Sequence, residues 1–338
     1  MRGVVFKGNR ELAIRDFPDP SPGPGQAVLA IRASGLCGTD LHAYRSNEPR
    51  DMITGHEPCG VIAELGDGVP AGLKVGDRVM VHHYEGCGVC EICSTGYEQL
   101  CPQGGIVYGG GTGHGANADY MLVPARTLVH LPEELSFEEG AAIACGTGTA
   151  WNGLRKMDVS GRDVVAIFGQ GPVGLSGTLS AKAMGAQVIA VDVVQDRLNL
   201  ARDLGADYLV NSSDLDPALA IKELTGGVGA SAALETSGNP SARSSILESI
   251  RPFGRCCYVG IGGPATFDVN RDVIFKVATI FGSWTFSKSE LIESARFMVE
   301  AKVPLDRLIT NRYSLDDAAE AFREFDSAGT GKCVFMLN

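Results

Sequence analysis

Residues 163–192 join two apolar runs through a glycine-rich turn. Residues 164–168 are all apolar, as in a strand of a parallel sheet that helices cover on both faces. A G-x-G-x-x-G motif at residues 169–174 follows and leads into an Ala- and Leu-rich helical stretch. A second apolar strand, residues 187–191, ends at Asp192. A glycine turn between strand and helix, with an acidic residue after the next strand, predicts a dinucleotide-binding unit.

The glycines of this motif allow a pyrophosphate to approach the backbone, where its charge meets the N-terminus of the following helix. We expect Asp192 to bond both ribose hydroxyls of the cofactor and to repel a 2′-phosphate, so NAD is favoured over NADP. The alternative is a glycine turn that holds no ligand. The predicted cofactor-binding residues of the motif are Gly169, Gly171, Pro172, Val173 and Gly174.

The alternation of strands and helices continues beyond this unit. Apolar strands are expected at residues 208–210, 231–236, 255–261 and 280–283, and helical stretches separate most of them. Alternation at this spacing predicts an α/β fold with a Rossmann-type, doubly wound parallel sheet. Residues before 130 contain short alternating runs without a strong helical period, so that part is predicted to be mostly β.

Length and charge limit the remaining possibilities. A chain of 338 residues suggests about two domains. The net charge of −11 argues against a nucleic acid or an anionic membrane surface as partner. The uncharged run at residues 164–181 is long enough for a membrane span, but its glycines and proline favour a strand, a turn and a helix instead. The start of the chain lacks the apolar core of a signal peptide, so we expect a cytoplasmic protein.

Four of the ten cysteines are crowded into one turn-rich segment. Thiolates this close together can surround one Zn²⁺ tetrahedrally and leave no open position, which is typical of a structural zinc site. The alternatives are unrelated thiols or a disulfide pair, which a cytoplasmic location disfavours. The four residues are Cys87, Cys90, Cys93 and Cys101.

A second group of metal ligands and proton-transfer groups lies between residues 37 and 57. Cys37 and His56 offer the thiolate and imidazole that Zn²⁺ prefers. Asp40 could accept a hydrogen bond from the far ring nitrogen of His56. Thr39 and His42 supply a hydroxyl and an imidazole that can carry a proton to water. Taken alone, these residues are also compatible with a segment that binds no metal, in which Cys37 is a buried thiol, His56 a hydrogen-bonded core histidine and Glu57 a solvated side chain.

Glycines and a valine spaced around His56 complete a longer pattern. Gly55-His56-Glu57 is followed by Gly60, Gly66 and Val69. This pattern resembles the signature of zinc-containing alcohol dehydrogenases of the medium-chain dehydrogenase/reductase superfamily. The resemblance implies a mostly-β GroES-like catalytic domain at residues 1–146 and 285–338, with a structural-zinc lobe at 87–101. It also implies a Rossmann NAD-binding domain at residues 147–284.

The resemblance further implies a role for individual residues. Cys145 would be the third protein ligand of a catalytic zinc beside Cys37 and His56, whereas Glu57 would stand behind the metal or exchange with a ligand. Thr39 would take the proton of the alcohol and His42 would pass it on. Residues of the cofactor site would be Thr149, Asp192, Arg197, Val259, Gly260, Ile261 and Phe281; those of the substrate pocket would be His82, His83, Tyr84 and Trp284. Arg197 can equally be a solvated helix charge.

These expectations predict an enzyme that interconverts an alcohol and its aldehyde or ketone by hydride transfer with NAD(H), using one catalytic and one structural zinc. The first alternative is a polyol or amino-alcohol dehydrogenase of the same superfamily. Members of that type tend to carry Glu where this chain has Cys145, but His82, His83 and Tyr84 make the expected pocket polar. The second alternative is a non-catalytic nucleotide-binding protein. The family also implies a small-molecule substrate and a homodimer or homotetramer.

Overall fold

The computed structural model describes residues 1–338, whose backbone forms two large sheets. The strands are β1 (Arg2–Gly8), β2 (Glu11–Asp16), β3 (Gln26–Gly35), β4 (Pro58–Leu65), β5 (Arg78–Val81), β6 (Tyr84–Glu85), β7 (Ile106–Val107), β8 (Tyr120–Pro124), β9 (Leu128–His130), β10 (Val164–Phe168), β11 (Gln187–Asp192), β12 (Tyr208–Asn211), β13 (Ala230–Glu235), β14 (Ile250–Tyr258), β15 (Thr279–Gly282), β16 (Ile309–Tyr313) and β17 (Lys332–Met336). The helices are α1 (Asp40–Arg45), α2 (Glu91–Ser94), α3 (Phe137–Ala142), α4 (Gly148–Lys156), α5 (Pro172–Ala183), α6 (Gln195–Asp203), α7 (Pro217–Leu224), α8 (Pro240–Ser249), α9 (Lys288–Glu300) and α10 (Ala318–Asp326).

Six parallel strands form one sheet in the order β12-β11-β10-β13-β14-β15. Helices α5 to α8 connect successive strands from β10 to β14. The strands β10 and β13 are almost completely buried, which explains the unbroken apolar sequence of β10. The strand order reverses between β10 and β13. Doubly wound sheets bind ligands at the carboxyl ends of strands at this reversal, so the crevice above β10 is the expected cofactor site.

The second sheet is mainly antiparallel, with the order β16-β17-β3-β4-β5-β9 and with β8 also paired to β3. Its central strand β3 pairs with β17 from the C-terminal end of the chain, with Val334 opposite Gly35. It also pairs with β4, where Ser34 lies opposite Pro58. The end of β3, the start of β4 and the start of β17 therefore meet at one place.

Local sequence signals explain how the helices near this meeting point begin. The capping boxes Ser136 with Glu139 and Ser287 with Glu290 start α3 and α9. Between α3 and α4 the backbone forms one π-helical turn, Ile143–Thr147. Turns of this kind interrupt an α-helix and often occur at functional sites.

The predicted fold class, a doubly wound parallel sheet with a mostly-β second part, is confirmed. The uncharged run at residues 164–181 forms β10, the glycine turn and most of α5, as predicted. None of the helices combines the length and the apolar content needed to cross a bilayer. The short helix α1 and the strand β17 are not apparent in the sequence pattern, and β14 begins before the predicted Arg255 because its first residues continue directly from α8.

Candidate active site and metal centres

The meeting point of β3 and β4 brings together one group of four possible metal ligands. The ligand atoms of Cys37, His56, Glu57 and Cys145 all lie within 4.8 Å of one another, and all four residues are buried. Cys37 follows β3, and His56 and Glu57 precede β4. The π-helical turn supplies Cys145. A segment of the chain far from the first three residues thus completes the cluster.

Asp40 orients two members of this cluster at once. Its Oδ1 atom lies 2.9 Å from Nδ1 of His56, and its Oδ2 atom accepts the backbone N–H of Cys37 at 2.9 Å. Burial lowers the pKa of His56, but the charges of Asp40 and Cys37 outweigh this effect and raise it above its usual value. With Nδ1 engaged by Asp40, the other ring nitrogen of His56 is available to the cluster.

The two thiols of the cluster differ in their affinity for a proton. A hydrogen bond from Cys145 lowers the pKa of Cys37 well below its usual value against the effect of burial, and the charge of His56 adds to the lowering. The same hydrogen bond and burial raise the pKa of Cys145. Two sulfurs and one imidazole, buried and close together, match the donor set that Zn²⁺ takes in proteins.

Lys332 is the residue of this site that the sequence analysis missed. Its ammonium group pairs with the carboxylate of Glu57 and donates to the carbonyl oxygen of Leu36 at 2.9 Å. Burial opposes the charge of Lys332, but Glu57 and Cys37 outweigh it and raise its pKa. A Cβ atom at Gly35 would lie 2.0 Å from Oε2 of Glu57, so only glycine leaves room for this pair. Glu57 is therefore shared between the ligand cluster and Lys332.

Thr39 and His42 lie on the open side of the ligand cluster. The Oγ1 atom of Thr39 is 3.6 Å from Sγ of Cys37. His42 is exposed on α1. Both residues line a cavity of about 170 Å³ together with His56. A hydroxyl and an imidazole thus border the same space as a metal-ligand candidate.

The residues expected in the substrate pocket lie around Tyr84, whose ring centroid is 5.6 Å from that of His82 and 4.1 Å from that of His83. Nε2 of His82 lies 3.1 Å from the carbonyl oxygen of Phe286, so this side chain is bound to the backbone. The ring of His83 lies 5.2 Å from the ring of His56, and its buried Nδ1 atom has no hydrogen-bond partner. Burial lowers the pKa of His83 and keeps the imidazole neutral. Tyr84 is buried against Trp284, at 5.9 Å between ring centroids, and Trp284 is partly exposed.

The glycine turn before α5 has the geometry of an open cradle. Gly169 has φ +88°, a conformation that favours glycine, and a Cβ atom at Gly174 would lie 1.7 Å from the carbonyl oxygen of Gly169. At Gly171, by contrast, a Cβ atom would meet nothing within 4 Å. Pro172 is the first residue of α5 and Val173 the second. The space beside Gly171, at a helix N-terminus, suits a phosphate group.

Three further polar side chains lie around this crevice, and two of them have a polar atom without a protein partner. Asp192 ends β11, and its carboxylate accepts the backbone N–H groups of Gln170 and Val194. The Nε atom of Arg197 and the buried Oγ1 atom of Thr149 have no hydrogen-bond partner. Val259, Gly260 and Ile261 follow β14 at its carboxyl end, and Phe281 is half-buried on β15. Unpartnered groups around an open cradle suit a polar ligand such as a dinucleotide.

The second cysteine group forms a compact cluster on a separate lobe. The four sulfur atoms of Cys87, Cys90, Cys93 and Cys101 lie within 4.8 Å of one another, and none forms a disulfide. Backbone N–H groups of three of these residues point at neighbouring sulfurs at 3.4 Å. The backbone N–H groups of Val89 and Cys90 lower the pKa of Cys87 to about 6. Four thiols with one easily ionised member fit a closed tetrahedral zinc site.

Known proteins resemble the chain over its whole length. The zinc-binding dehydrogenase family matches residues 172–300, and the alcohol dehydrogenase GroES-like domain matches residues 23–133. An uncharacterised zinc-type alcohol dehydrogenase-like protein of Escherichia coli is 36% identical, over 99% of this chain and 98% of its own. The L-threonine 3-dehydrogenase of Pyrococcus horikoshii is 36% identical over 94% and 93%. The solved alcohol dehydrogenase of Thermus sp. ATN1 is 29% identical with a TM-score of 0.90, and the alignment covers 100% of both chains.

These matches agree with the site described above. The family descriptions name the GroES-like part and the zinc-binding dehydrogenase part that the motifs predicted. The family matches and the two clusters of possible metal ligands confirm the prediction of a zinc-dependent oxidoreductase. The chain belongs to the zinc-containing alcohol dehydrogenase family of the medium-chain dehydrogenase/reductase superfamily.

Proposed function

We propose that this protein is an NAD-dependent zinc alcohol dehydrogenase, which interconverts an alcohol and its aldehyde or ketone. The observation that carries the proposal is the buried cluster of Cys37, His56 and Cys145 beside a cavity that Thr39 and His42 also line. Three protein ligands, of which His56 lines the cavity, would leave a fourth position for substrate, as in catalytic rather than structural zinc sites. Glu57 pairs with Lys332, and its ligand atom lies within 4.8 Å of those of the other three residues.

In this proposal the side chains around the cavity move the proton of the alcohol. Zn²⁺, when bound, supplies Lewis acidity at the substrate oxygen, and NAD⁺, when bound, accepts the hydride. Thr39 accepts the hydroxyl proton while it gives up its own, because its Oγ1 atom lies next to the ligand cluster and the residue lines the cavity. His42 receives that proton and, being exposed, releases it to solvent. Asp40 keeps His56 in one tautomer and orientation.

The cofactor is proposed to lie across the crevice at the end of β10. Its pyrophosphate would approach the backbone at Gly171, and Asp192 would bond the adenosine ribose beside Arg197. Thr149, Phe281 and the segment 259–261 would surround the nicotinamide. This arrangement agrees with the proposed division into a cofactor domain, residues 147–284, and a catalytic domain, residues 1–146 and 285–338.

A second candidate function is the oxidation of an amino alcohol or polyol. The observation that favours it is the buried, unpartnered Nδ1 atom of His83 next to His56. A neutral imidazole in that position can bond a second hydroxyl or an amino group of a substrate. The similarity to an L-threonine 3-dehydrogenase also fits a polar substrate. Cys145 remains the feature that weighs against this function.

The test of the proposed function is zinc content combined with a panel of alcohols. We expect two zinc ions per chain and NADH formation from simple primary or secondary alcohols. Turnover of only polyols or amino alcohols would favour the second candidate. Two zinc ions without any turnover would instead indicate a non-catalytic nucleotide-binding protein.

The preference for NAD is tested by the substitution Asp192→Asn. We expect kcat/KM with NAD to fall about tenfold, because a charge-assisted hydrogen bond to the ribose is weakened. In the same variant, kcat/KM with NADP should rise, because the repulsion between the carboxylate and the 2′-phosphate is removed. The control is Asp196→Asn, an exposed acidic residue on α6. An unchanged ratio of the two kcat/KM values in the Asp192 variant would contradict this assignment.

Self-association is proposed through the edge of the parallel sheet. The strand β15 is the outermost strand, and Phe275 and Val277 before it are 76% and 61% exposed. An open edge beside exposed apolar side chains suits pairing with a second copy as a homodimer or homotetramer. We also propose a cytoplasmic location, because ten free cysteines fit a reducing compartment.

The substitution Phe275→Asp tests this interface. We expect light scattering after size-exclusion chromatography to give a mass of two or four chains for the unmodified protein and a smaller assembly for the variant, because a charge at the interface opposes its burial. Leu219→Asp, at another exposed apolar position, should leave the mass unchanged. A monomeric unmodified protein would contradict the proposal.

A further inference from the structure

The cavity beside the ligand cluster has a positively charged wall. Its lining includes Thr39, His42 and His56 on one side, and Arg50 with the glycine loop 109–111 on another. Arg50 lies between α1 and the Gly55-His56-Glu57 motif, and none of the motifs described above includes it. Any substrate that reaches Thr39 through this cavity passes near Arg50.

The guanidinium group of Arg50 has no protein partner. No carboxylate lies within ion-pair distance of it, whereas three nearby arginines are paired: Arg10 and Arg45 with Asp326, and Arg15 with Asp51. The backbone N–H of Arg50 donates to Phe6 at 2.8 Å and holds the residue in position. A Cβ atom at Gly111 would lie 3.0 Å from Nη1 of Arg50, so the side chain reaches the glycine loop 109–111.

The acidic residue in the cavity lining does not neutralise this cation. Asp40 already bonds Nδ1 of His56 and the N–H of Cys37, and it pairs with no arginine. Asp51, next to Arg50 in sequence, points to Arg15 at 2.6 Å. Glu48 is exposed on the same segment but does not line the cavity. An uncompensated cation is therefore present at the cavity of a chain with net charge −11.

We propose that Arg50 binds an anionic group of the substrate, so that the enzyme prefers alcohols that carry a carboxylate or a phosphate. A guanidinium group presents a planar fork of N–H donors that matches either anion in a bidentate manner. The anion would be held at Arg50 and the hydroxyl beside Thr39 and the ligand cluster. This inference rests on the proposed function, and it narrows the substrate class from alcohols in general to anionic ones.

Matched substrate pairs test the inference. The first pair is 2-butanol and 3-hydroxybutyrate, in which a carboxylate replaces the terminal methyl group of the alcohol. The second pair is 1,2-propanediol and its 1-phosphate. We expect Arg50→Gln to lower kcat/KM for the preferred anionic substrate about 10- to 100-fold, because a charge-assisted bidentate contact is lost. Values for the neutral alcohols should change less than about twofold. Arg50→Lys should restore part of the loss, since it keeps the charge without the fork.

The control is Arg10→Gln, which removes an exposed arginine that does not line the cavity. Calorimetry with the zinc-loaded enzyme measures binding of the two anionic compounds without turnover. Binding can therefore be detected even if the enzyme does not oxidise alcohols, so that a failure of the proposed function is distinguishable from a failure of this inference. Binding that disappears in Arg50→Gln supports the inference, and the tighter of the two compounds identifies carboxylate or phosphate. No binding of either compound, or equal losses for neutral and anionic substrates, would overturn it.

Discussion

Replacing Cys37 with alanine is expected to remove one of the two zinc ions and nearly all alcohol oxidation. The substitution deletes the thiol whose pKa the site lowers most clearly and leaves Cys145 and His56 as an incomplete ligand set. Loss of Lewis acidity at the substrate oxygen removes several kcal/mol of transition-state stabilisation. At about 1.4 kcal/mol per factor of ten, kcat/KM should fall at least about a thousandfold.

The measurement is zinc per chain by elemental analysis together with initial rates of NADH formation. Cys256→Ala is the matched control, because Cys256 is an equally buried free cysteine within the parallel sheet. That variant should keep two zinc ions and most of the activity. A Cys37→Ala protein that keeps both zinc ions and its rate would refute the assignment of the catalytic site.

The parts of this site that the sequence reveals are those whose residues are close in the chain or belong to a motif. Cys37, Asp40 and His56 lie within one segment, and the spacing alone indicates that they can meet. Cys145 was expected only through the family resemblance, because it lies far from Cys37 and His56 in the chain and reaches them from a π-helical turn. Gly146 lowers the helix propensity there, but a glycine does not by itself indicate a π-helical turn.

Lys332 and Arg50 show why the rest could not be predicted. Lys332 reaches Glu57 only because β17 pairs with β3, and a single lysine near the end of a chain gives no sign of that pairing. Burial raises the pKa of Glu57 to about 8, and the charge of Lys332 limits that rise. Arg50 differs from its neighbours in having no carboxylate partner. A sequence does not show whether a charge is paired, because pairing depends on three-dimensional positions.

The lobe at residues 87–101 is expected to depend on its metal ion for stability. It contains almost no hydrophobic core: Val89 is 82% exposed, Leu100 is 48% exposed, and the buried residue of α2 is the ligand candidate Cys93. A segment that buries so little apolar surface cannot offset the entropy cost of its own ordering. Metal coordination therefore has to supply the stability of this lobe.

The lobe also contacts Trp284, which is proposed to border the substrate pocket. The side-chain amide of Gln99 donates to the carbonyl oxygens of Trp284 and Phe286 at 3.0 and 3.1 Å. The hydroxyl of Tyr97 donates to Glu290 at 2.6 Å. These contacts connect the lobe to the segment 284–290, so an unfolded lobe would release Trp284 as well.

The substitution Cys101→Ala is therefore expected to remove the structural zinc at a cost on the order of 5 kcal/mol in the local stability of the lobe. We expect limited proteolysis to cut within residues 87–101, amide exchange there to become fast, and KM for the alcohol to rise because Trp284 loses its support. Ser94→Ala, an exposed position in the same lobe, should change none of these. Retention of two zinc ions and of protease resistance in Cys101→Ala would show that the lobe is held by its hydrogen bonds rather than by metal.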